Sequence, residues 1–381
     1  MARLKILALN AGSSSVKASL FDLTAGDDQR DTSHGVLWEA EQDIDASSLR
    51  ALLTPLWSGR DAVLASPSAI DIVGHRVVHG GATLRESTHV SASVLAEIAR
   101  AAEYAPSHNA GALDAIEAAT ELFGADLPQV AVFDTAFHRT LPPAAFTYAG
   151  PYSWLAQGIR RFGFHGINHE YVAGRARAML GRDAEDFRVV TCHLGSGCSL
   201  AAVRNGASVD TTMGFTPLDG LPMARRSGAI DPGILLHLLR YGGQTVDSLD
   251  QMLNHESGLA GLSGTTGDMR TVLAGVDAGD SRALLALDVF VHHARCGIAA
   301  MAASMGGADA IVFTGGIGEH VPRVRSGICA TLAFLGVALD DALNALPTGD
   351  ADVSHAHART RVLVIAAEEN WMIARECLRF A

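Results

Sequence analysis

The strongest constraint on the fold is a pattern that occurs twice in this chain: an apolar run, a short loop of glycine and serine, and a second apolar run. The first copy reads LALNAGSSSVKASL at residues 7–20, and the second reads VTCHLGSGCSLAAV at residues 190–203. Apolar runs of this length, bounded by turn residues, predict buried strands, and the short loop between them favours a hairpin. One such hairpin in each half predicts a duplicated α/β fold whose halves face each other across a cleft.

Other stretches supply the remaining elements of each half. One helix is predicted to begin at Asp231-Pro232, an N-cap followed by proline, and to end at Gly242-Gly243. Residues 342–361 are expected to be a surface excursion. The other predicted strands are 71–79, 129–134, 188–194 and 310–314, and the other predicted helices are 91–104, 109–123 and 281–304.

The length of 381 residues predicts two domains, because single cores rarely grow beyond about 250–300 residues. Hydrophobic residues make up 48% of the chain and charged residues 18%, a balance that excludes intrinsic disorder. The formal net charge of −12 disfavours a nucleic-acid partner. No signal peptide and no uninterrupted apolar run of about 18 residues is found, so we expect a cytoplasmic protein without a membrane partner. Five cysteines without a CxxC pair are typical of free thiols in a reducing compartment.

Glycine-rich loops follow three of the predicted strands: GSSS at 12–15, GSG at 195–197 and TGGIGEH at 314–320. Without a Cβ atom, a glycine lets backbone N–H groups approach a phosphate closely. None of the loops matches GxxxxGK[ST], which excludes a P-loop NTPase, and none has the GxGxxG spacing of a Rossmann dehydrogenase. One such loop is most often an ordinary turn, but three together predict a bound phosphate group.

The first loop is followed by Lys17, one of only two lysines in the chain. Alternation along the predicted strand places Ser13, Ser15 and Lys17 on one side. An ammonium is a mobile point charge that suits phosphate oxygens. We therefore predict that Lys17 binds phosphate, with a solvated surface lysine as the alternative.

Charged residues within apolar runs or at strand ends form a second group of candidates. Arg76 lies within GHRVVHGG, where a buried guanidinium needs an anion, and Arg226 precedes a glycine turn. Asp134 ends one apolar run, and Glu368 and Glu369 follow another. Carboxylates at strand ends suit Mg²⁺, which takes few protein ligands. The alternative for each carboxylate is an ordinary cap or surface acid.

Sixteen histidines raise the alternative of a zinc enzyme. His165 and His169 have the i, i+4 spacing of two ligands on one helix face. However, Gly166 lies between them and the chain contains no HExxH motif. An imidazole that stabilises a transition state is therefore the preferred interpretation.

Taken together and in this order, these stretches resemble the acetate kinase family, which includes propionate and butyrate kinases. The resemblance covers nearly the whole chain and is weakest at residues 25–70 and 340–360. The matching segments are NAGSSSVK (10–17), GHRVVHGG (74–81), FDTAFH (133–138), RFGFHG (161–166), HLGSGCS (193–199), SVDTTMGFTPLDGL (208–221), RSGAIDPG (226–233), ESGLAGLSG (256–264), DMR (268–270) and TGGIGE (314–319).

The resemblance implies the acetate and sugar kinase/Hsp70/actin fold, an α/β architecture of two duplicated ribonuclease H-like domains with an active-site cleft between them. It implies an N-terminal domain of residues 1–136 plus 370–381 and a C-terminal, nucleotide-binding domain of residues 137–369. It further implies transfer of the γ-phosphoryl group of ATP to acetate, with Mg²⁺ or alternatively Mn²⁺, in a homodimer.

The resemblance also implies roles for numbered residues. The catalytic groups are implied to be Arg76, Asp134, His165 and Arg226, and the metal ligands Asn10 and Glu369. Acetate is implied to contact Asn10, Arg76, Val78 and His108. The residues implied to bind ATP are Ser13, Ser15, Lys17, His193, Gly195, Ser196, Gly197, Asp268, Arg270, Gly315, Gly316, Ile317 and Gly318.

Four positions near the implied site depart from the family pattern. Ser196 stands where the family has asparagine, and Ala224-Arg225 adds a positive charge before Arg226. Ile167-Asn168 replaces the family's Thr-Ser, and the ending AEEN at 367–370 makes Glu368 the alternative metal ligand.

Propionate or butyrate kinase activity is the alternative within the same family. A nucleotide-binding regulator without acyl transfer and a metal-dependent hydrolase are alternatives from other classes. The pair Arg76 and Arg226 favours a kinase, because a regulator has no need to hold a carboxylate. The preferred acid and the direction of the reaction stay open at this point.

Overall fold

The computed structural model describes residues 3–12, 15–24, 35–43, 48–104, 106–183, 185–347 and 349–381, apart from the side chains of residues 43, 48 and 106–108. The chain divides into two compact units. Unit 1 comprises Met1–Arg139, Phe164–Arg175 and Glu368–Ala381, and unit 2 comprises Thr140–Gly163 and Ala176–Ala367.

The elements of the described residues alternate between strands and helices. The strands are β1 (Leu4–Ala11), β2 (Ser15–Leu23), β3 (Val36–Asp43), β4 (Ile72–Val77), β5 (Thr88–His89), β6 (Gln129–Phe133), β7 (Arg188–Leu194), β8 (Cys198–Arg204), β9 (Ala207–Thr211), β10 (Ala310–Thr314), β11 (Ala351–Asp352) and β12 (Arg361–Val364). The helices are α1 (Ser48–Leu53), α2 (Ala92–Ala101), α3 (Pro106–Phe123), α4 (Pro143–Phe146), α5 (Ser153–Ala156), α6 (Gly166–Met179), α7 (Pro232–Tyr241), α8 (Val246–His255), α9 (Gly258–Ser263), α10 (Met269–Asp277), α11 (Ser281–Ser304), α12 (Gly315–His320), α13 (Pro322–Cys329), α14 (Asp341–Ala345) and α15 (Glu369–Cys377).

The two sheets have the same topology, which confirms the predicted duplication. Sheet 1 has the order β3-β2-β1-β4-β6-β5 and sheet 2 the order β9-β8-β7-β10-β12-β11. In both, the first three strands form an antiparallel meander, the next two join it in parallel, and the last strand is an antiparallel edge. The hairpin β1–β2 is therefore the counterpart of β7–β8.

Sheet 1 is covered on both faces. On one face, Leu7, Leu9 and Val73 pack in a cluster that includes Ala115 and Ala119 of α3. On the other face, a Cβ atom on Gly74 would lie 2.6 Å from the Sγ of Cys377 and 2.6 Å from the Cγ2 of Ile373, both on α15. Burial on both faces explains why β1 and β4 are apolar at consecutive positions.

Helix α11 is the main covering helix of sheet 2. Its bounds are the predicted ones, and Asp280 caps it by accepting a backbone hydrogen bond from Arg282 at 2.8 Å. Gly297 allows close packing on β8, since a Cβ there would lie 2.6 Å from Leu200 Cδ1. Among the described helices, only α11 is long and apolar enough to span a membrane. One face of it, including Leu287, Phe290 and Ile298, is buried in unit 2, whereas Leu284 and Leu285 are exposed.

One segment differs from the sequence-based expectation, and one helix that was predicted correctly is largely exposed along its length. Residues 342–361 do not form a mere surface excursion, because β11 pairs antiparallel with β12, Ala351 opposite Val364, and completes the edge of sheet 2. Helix α7 has the predicted cap and end, but none of its residues is buried despite the sequence PGILLHLLRY.

Candidate active site

Three parallel strands of unit 1 bring polar residues to one edge of sheet 1. Asn10 lies at the carboxyl end of β1, Arg76 near the end of β4, and Asp134 directly after β6. The backbone N–H of Asp134 donates to the carbonyl of Val77 at 3.0 Å, which extends the strand pairing to the carboxylate. Carboxyl ends of parallel strands are the usual location of sites in open α/β sheets.

Arg76 and Asp134 form a buried, bidentate ion pair. Arg76 Nη2 lies 2.6 Å from Asp134 Oδ2, and Arg76 Nε lies 3.1 Å from Oδ1. The exposed fraction of the side chain is 12% for Arg76 and 1% for Asp134. The anion that the sequence required for Arg76 is therefore supplied within the protein, and removal of either partner leaves a buried charge unpaired.

The electrostatics of the pair are set by burial and by Glu369. Burial lowers the pKa of the Arg76 guanidinium, but the charges of Asp134 and Glu369 outweigh this effect and hold the pKa above its ordinary value. Burial raises the pKa of the Asp134 carboxyl against the opposing effect of Arg76. Because the guanidinium is charged at neutral pH and donates three hydrogen bonds to that carboxyl, we describe the pair as ionised.

Asn10 links this ion pair to Glu369 at the start of α15. Arg76 Nη1 donates to Asn10 Oδ1 at 3.1 Å, and Asn10 Nδ2 donates to Glu369 Oε2 at 2.8 Å. Glu369, one of the two candidate glutamates, is thus hydrogen-bonded to this cluster. The cluster of Asn10, Arg76, Asp134 and Glu369, hereafter the carboxylate–guanidinium cluster, lies within unit 1.

His165 borders the same cluster from the segment before α6. It has a left-handed backbone, with φ of 55°, and its backbone N–H donates to the Asp134 carboxylate, which opposes the rise of that pKa. The next residue, Gly166, donates its N–H to the Asp134 carbonyl at 2.9 Å. A Cβ atom on Gly166 would lie 2.1 Å from that carbonyl oxygen, so only glycine fits. The sequence alone did not indicate this close contact between Gly166 and Asp134.

Ser15 and Lys17 point to one side of β2, as strand alternation predicted. Ser15 Oγ donates to Glu41 Oε1 at 3.0 Å, and Lys17 Nζ lies 3.6 Å from Glu41 Oε2. The side chains of Lys17 and Glu41 are 55% and 54% exposed, which makes this a solvated surface pair. The phosphate role of Ser15 and Lys17 stays a prediction, and Ser13 lies outside the described residues.

Besides Asn10 and Arg76, two further residues were predicted to contact acetate. Val78 follows β4 and is buried. His108 lies in α3, but its side chain is outside what the structure describes. The pocket role of both residues stays a prediction.

In unit 2, the second and third glycine loops are neighbours. Strands β7 and β10 pair in parallel with Thr314 opposite His193, so the loops that follow them lie side by side. Gly315 has φ of 75°, and a Cβ there would lie 2.9 Å from the Leu194 carbonyl oxygen. Gly195 donates its N–H to the Gly197 carbonyl at 3.0 Å, leaving Ser196 exposed at the tip of the turn.

The other residues that were predicted to bind the nucleotide lie around these loops or at the start of α10. Gly316 is exposed, with open space where its Cβ would be, whereas Ile317 and Gly318 are buried. Asp268 caps α10 and forms an exposed ion pair with Arg270, whose hydrogen bonds lower the pKa of the Asp268 carboxyl.

Arg226 is half-buried in unit 2. Its Nη1 donates to the Pro217 carbonyl at 3.0 Å and lies 3.6 Å from Met223 Sδ. Neither of these partners is an anion. The added Arg225 is exposed.

The zinc alternative rested on His165 and His169, whose ring centroids lie 6.5 Å apart. Over the part of the chain that the structure describes, no group of three or more His, Cys, Asp or Glu side chains is arranged to hold a metal ion. Four of the five cysteines, Cys192, Cys198, Cys329 and Cys377, are buried, and burial raises the pKa of each thiol. These thiols are packing residues rather than nucleophiles.

Comparison with known proteins agrees with this architecture. The sequence model of the Acetokinase family matches residues 5–375. The chain is 50% identical to the acetate kinase of Gloeobacter violaceus over 400 aligned positions, which cover 98% of both chains. It is similar to the crystal structure of Porphyromonas gingivalis acetate kinase, with a TM-score of 0.88, 33% identity and 99% of each chain covered. A propionate kinase from Francisella tularensis gives a TM-score of 0.86 at 35% identity, with 98% of each chain covered.

Proposed function

Because the chain belongs to the acetokinase family, we propose that it transfers the γ-phosphoryl group of ATP to acetate and forms acetyl phosphate and ADP. The structural observation that carries this proposal is the carboxylate–guanidinium cluster. It combines a buried guanidinium with two carboxylates, Asp134 after β6 and Glu369 at the start of α15, which are the groups needed to handle an anionic acceptor and a transferring phosphoryl group.

The reaction needs little acid–base chemistry. A carboxylate oxygen of acetate supplies the electron pair for the new O–P bond, and the bond between the γ-phosphorus and its bridging oxygen breaks with its electrons going to ADP. Acetate is already ionised at neutral pH, so no base has to remove a proton. Catalysis then depends on alignment and on neutralising negative charge.

Arg76, Arg226 and His165 are the proposed sources of that neutralising charge. In unit 1, Asp134 and Asn10 fix the Arg76 guanidinium through hydrogen bonds of 2.6–3.2 Å. A guanidinium held in this way needs no reorganisation when the acceptor binds. Arg226 of unit 2 and the imidazole of His165 are proposed to contact the transferring group.

The donors of the carboxylate–guanidinium cluster fit Mg²⁺, with Mn²⁺ as the alternative. Glu369 and Asp134 supply carboxylate oxygens and Asn10 an amide oxygen, the hard ligands that Mg²⁺ prefers. Two carboxylates are too few for a closed protein cage, which suits an ion that keeps water and phosphate ligands. When bound there, the ion would neutralise phosphate charge. Asn10 and Glu369 are the proposed ligands, and their mutual hydrogen bond orients both.

The nucleotide is proposed to bind at the two neighbouring loops of unit 2. Gly195, Ser196 and Gly197 form one loop, and Gly316, Ile317 and Gly318 belong to the other. The exposed Gly316 offers a surface without a side chain to the nucleoside. Asp268 and Arg270 are proposed to bind the ribose or base, and Lys17, Ser15 and His193 the phosphates.

Steady-state kinetics with hydroxylamine trapping of the acyl phosphate tests the proposal. We expect hydroxamate that depends on ATP, divalent metal and acetate, with a higher kcat/KM for acetate than for propionate or butyrate. No hydroxamate with any of the three acids would refute a kinase activity. A propionate preference would instead place this chain with the Francisella tularensis relative in specificity.

Arg76→Ala separates acyl transfer from nucleotide binding. We expect kcat to fall at least about 10³-fold while ATP still binds, because the loops of unit 2 are untouched. Arg76→Lys keeps the positive charge but not the bidentate geometry, and it serves as a second variant in case Arg76→Ala does not fold. Melting curves of both variants show whether each is folded. The control is Arg100→Ala, which removes an exposed arginine of α2.

We further propose a cytoplasmic homodimer formed through α7. Ile234, Leu236, Leu239 and Tyr241 are all exposed on this helix, and an apolar surface of this kind usually marks an interface. Light scattering should give twice the mass of the chain for the wild type and the monomer mass for Leu236→Glu. A monomeric wild type would refute the dimer.

A further inference from the structure

Glu319, the fifth residue of α12, was part of a matched motif but has no role in the proposed reaction. Its Oε1 accepts the backbone N–H of Gly315 at 2.7 Å and the backbone N–H of Ala367 at 3.1 Å. Gly315 begins the nucleotide loop, and Ala367 is the last residue of unit 2 before the chain enters unit 1. One carboxylate oxygen therefore joins two segments that are 52 residues apart in sequence.

The Gly315 end of this link determines the shape of the loop. Gly315 is buried in a left-handed conformation against the Leu194 carbonyl, and its N–H is already used by Glu319. Gly315 therefore does not offer that N–H to a phosphate. The exposed surface of the loop starts at Gly316, whose position follows from how Gly315 is held.

The other end of α12 is tied by a buried arginine. Arg325 is fully buried, and its Nη1 donates to the carbonyls of Gly318 and Glu319 at 2.8 Å each. Asn344 accepts from Arg325 Nε at 2.7 Å and so holds the guanidinium in place. A helix of six residues is marginal on its own, so these two side-chain ties maintain it.

The Ala367 end of the link precedes the proposed metal ligand. Asp350 accepts the N–H of Ala366 at 3.1 Å, so carboxylates hold two consecutive N–H groups just before α15. Glu369 follows Ala367 by two residues. The Glu319 contact therefore connects the nucleotide loop to the segment that leads into the carboxylate–guanidinium cluster.

We propose that Glu319 is a positioning residue: its carboxylate holds the Gly315–Gly318 loop in its nucleotide-binding shape and couples that loop to the segment before Glu369. The inference rests on the proposed function, because it takes the loop to bind ATP. A purely structural cap would change stability alone. A positioning residue changes nucleotide affinity and leaves the affinity for acetate as it was.

The test measures ATP and ADP binding by titration calorimetry, and KM for acetate by hydroxamate kinetics. Glu319→Ala removes the acceptor, and we expect about 10-fold weaker nucleotide binding with an acetate KM within about two-fold of wild type. Glu319→Gln keeps an acceptor oxygen at the same reach and should restore affinity to within about two-fold. The side chain in Glu319→Asp is one methylene shorter, and the nucleotide affinity of this variant should lie between those of Glu319→Ala and Glu319→Gln.

The control is Asp280→Ala, which removes a carboxylate that also accepts two backbone N–H groups, at the start of α11. It should lower the melting temperature without changing nucleotide affinity. Wild-type affinity in Glu319→Ala, or equal weakening in Asp280→Ala, overturns the positioning role. If Glu319→Ala fails to fold, weakened nucleotide binding by Glu319→Gln overturns the positioning role. A wild type that binds no nucleotide would instead refute the proposed function itself.

Discussion

The substitution Gly166→Ala probes how tightly the Asp134 segment is held. The added Cβ would lie 2.1 Å from the Asp134 carbonyl oxygen and 2.9 Å from Phe137 Cβ. Ordinary contact begins at 3.4 Å, so the backbone on one side has to move by about 1.3 Å. Both neighbours belong to unit 1, and the moving carbonyl is that of the residue paired with Arg76.

A displacement of this size predicts two separate effects. Misplacing catalytic groups by about 1 Å lowers the rate by about 10²-fold, so we expect kcat for hydroxamate formation to fall about 100-fold. Overpacking costs about 1–3 kcal/mol of unfolding free energy, which urea denaturation measures. Nucleotide affinity should be unchanged, because the loops of unit 2 are not involved.

Gly111→Ala is the matched control. Gly111 lies inside α3, also in unit 1, with nothing within 4 Å of its Cβ position. Alanine there should stabilise the protein by about 1 kcal/mol and leave kcat unchanged. If Gly166→Ala keeps wild-type kcat, the proposed dependence of catalysis on the position of Asp134 is wrong.

Two further predictions concern a charge and a pH dependence. Lys17→Ala should lower kcat/KM for ATP about 10-fold while Lys5→Ala leaves it unchanged; equal activity of both variants contradicts the phosphate role of Lys17. Burial lowers the pKa of His75 to about 4, so the folded state holds this imidazole neutral. The unfolding free energy should therefore be at its full value above pH 6.5. It should decline by up to about 3 kcal/mol as the pH falls toward 4, because the unfolded state then binds a proton at His75 that the folded state does not. A His75→Gln variant followed by urea denaturation should show a flatter decline over that range.

Much of the architecture could be predicted from local patterns. Helix α11 has the predicted bounds, and β10 coincides with the predicted strand, because caps and apolar periodicity mark these ends directly. The repeated strand–loop–strand plan predicted a duplicated fold, and the matching strand orders confirm it. The two-residue strand β11 was missed because so short a strand exists only through its pairing with β12.

The partners of the site residues were harder to predict. The anion for Arg76 turned out to be Asp134, 58 residues away in sequence, and Glu41 meets Ser15 and Lys17 across a strand pair. Such partners depend on strand register, which is set by the packing of whole sheets. The contact of Glu319 with Ala367 has no local signal either, since the two residues are 48 positions apart in sequence.

The amino-acid sequence alone determined many of the strands and helices, the duplication, the family resemblance and the residue types available for chemistry. These follow from short-range periodicity, turn residues and motif spacing, all of which are properties of neighbouring positions. The tertiary structure decided which glutamate joins Asn10, why Gly166 must be glycine and what Glu319 holds. Those outcomes depend on distances between segments far apart in the chain, and such distances are set only when the sheets and helices pack together.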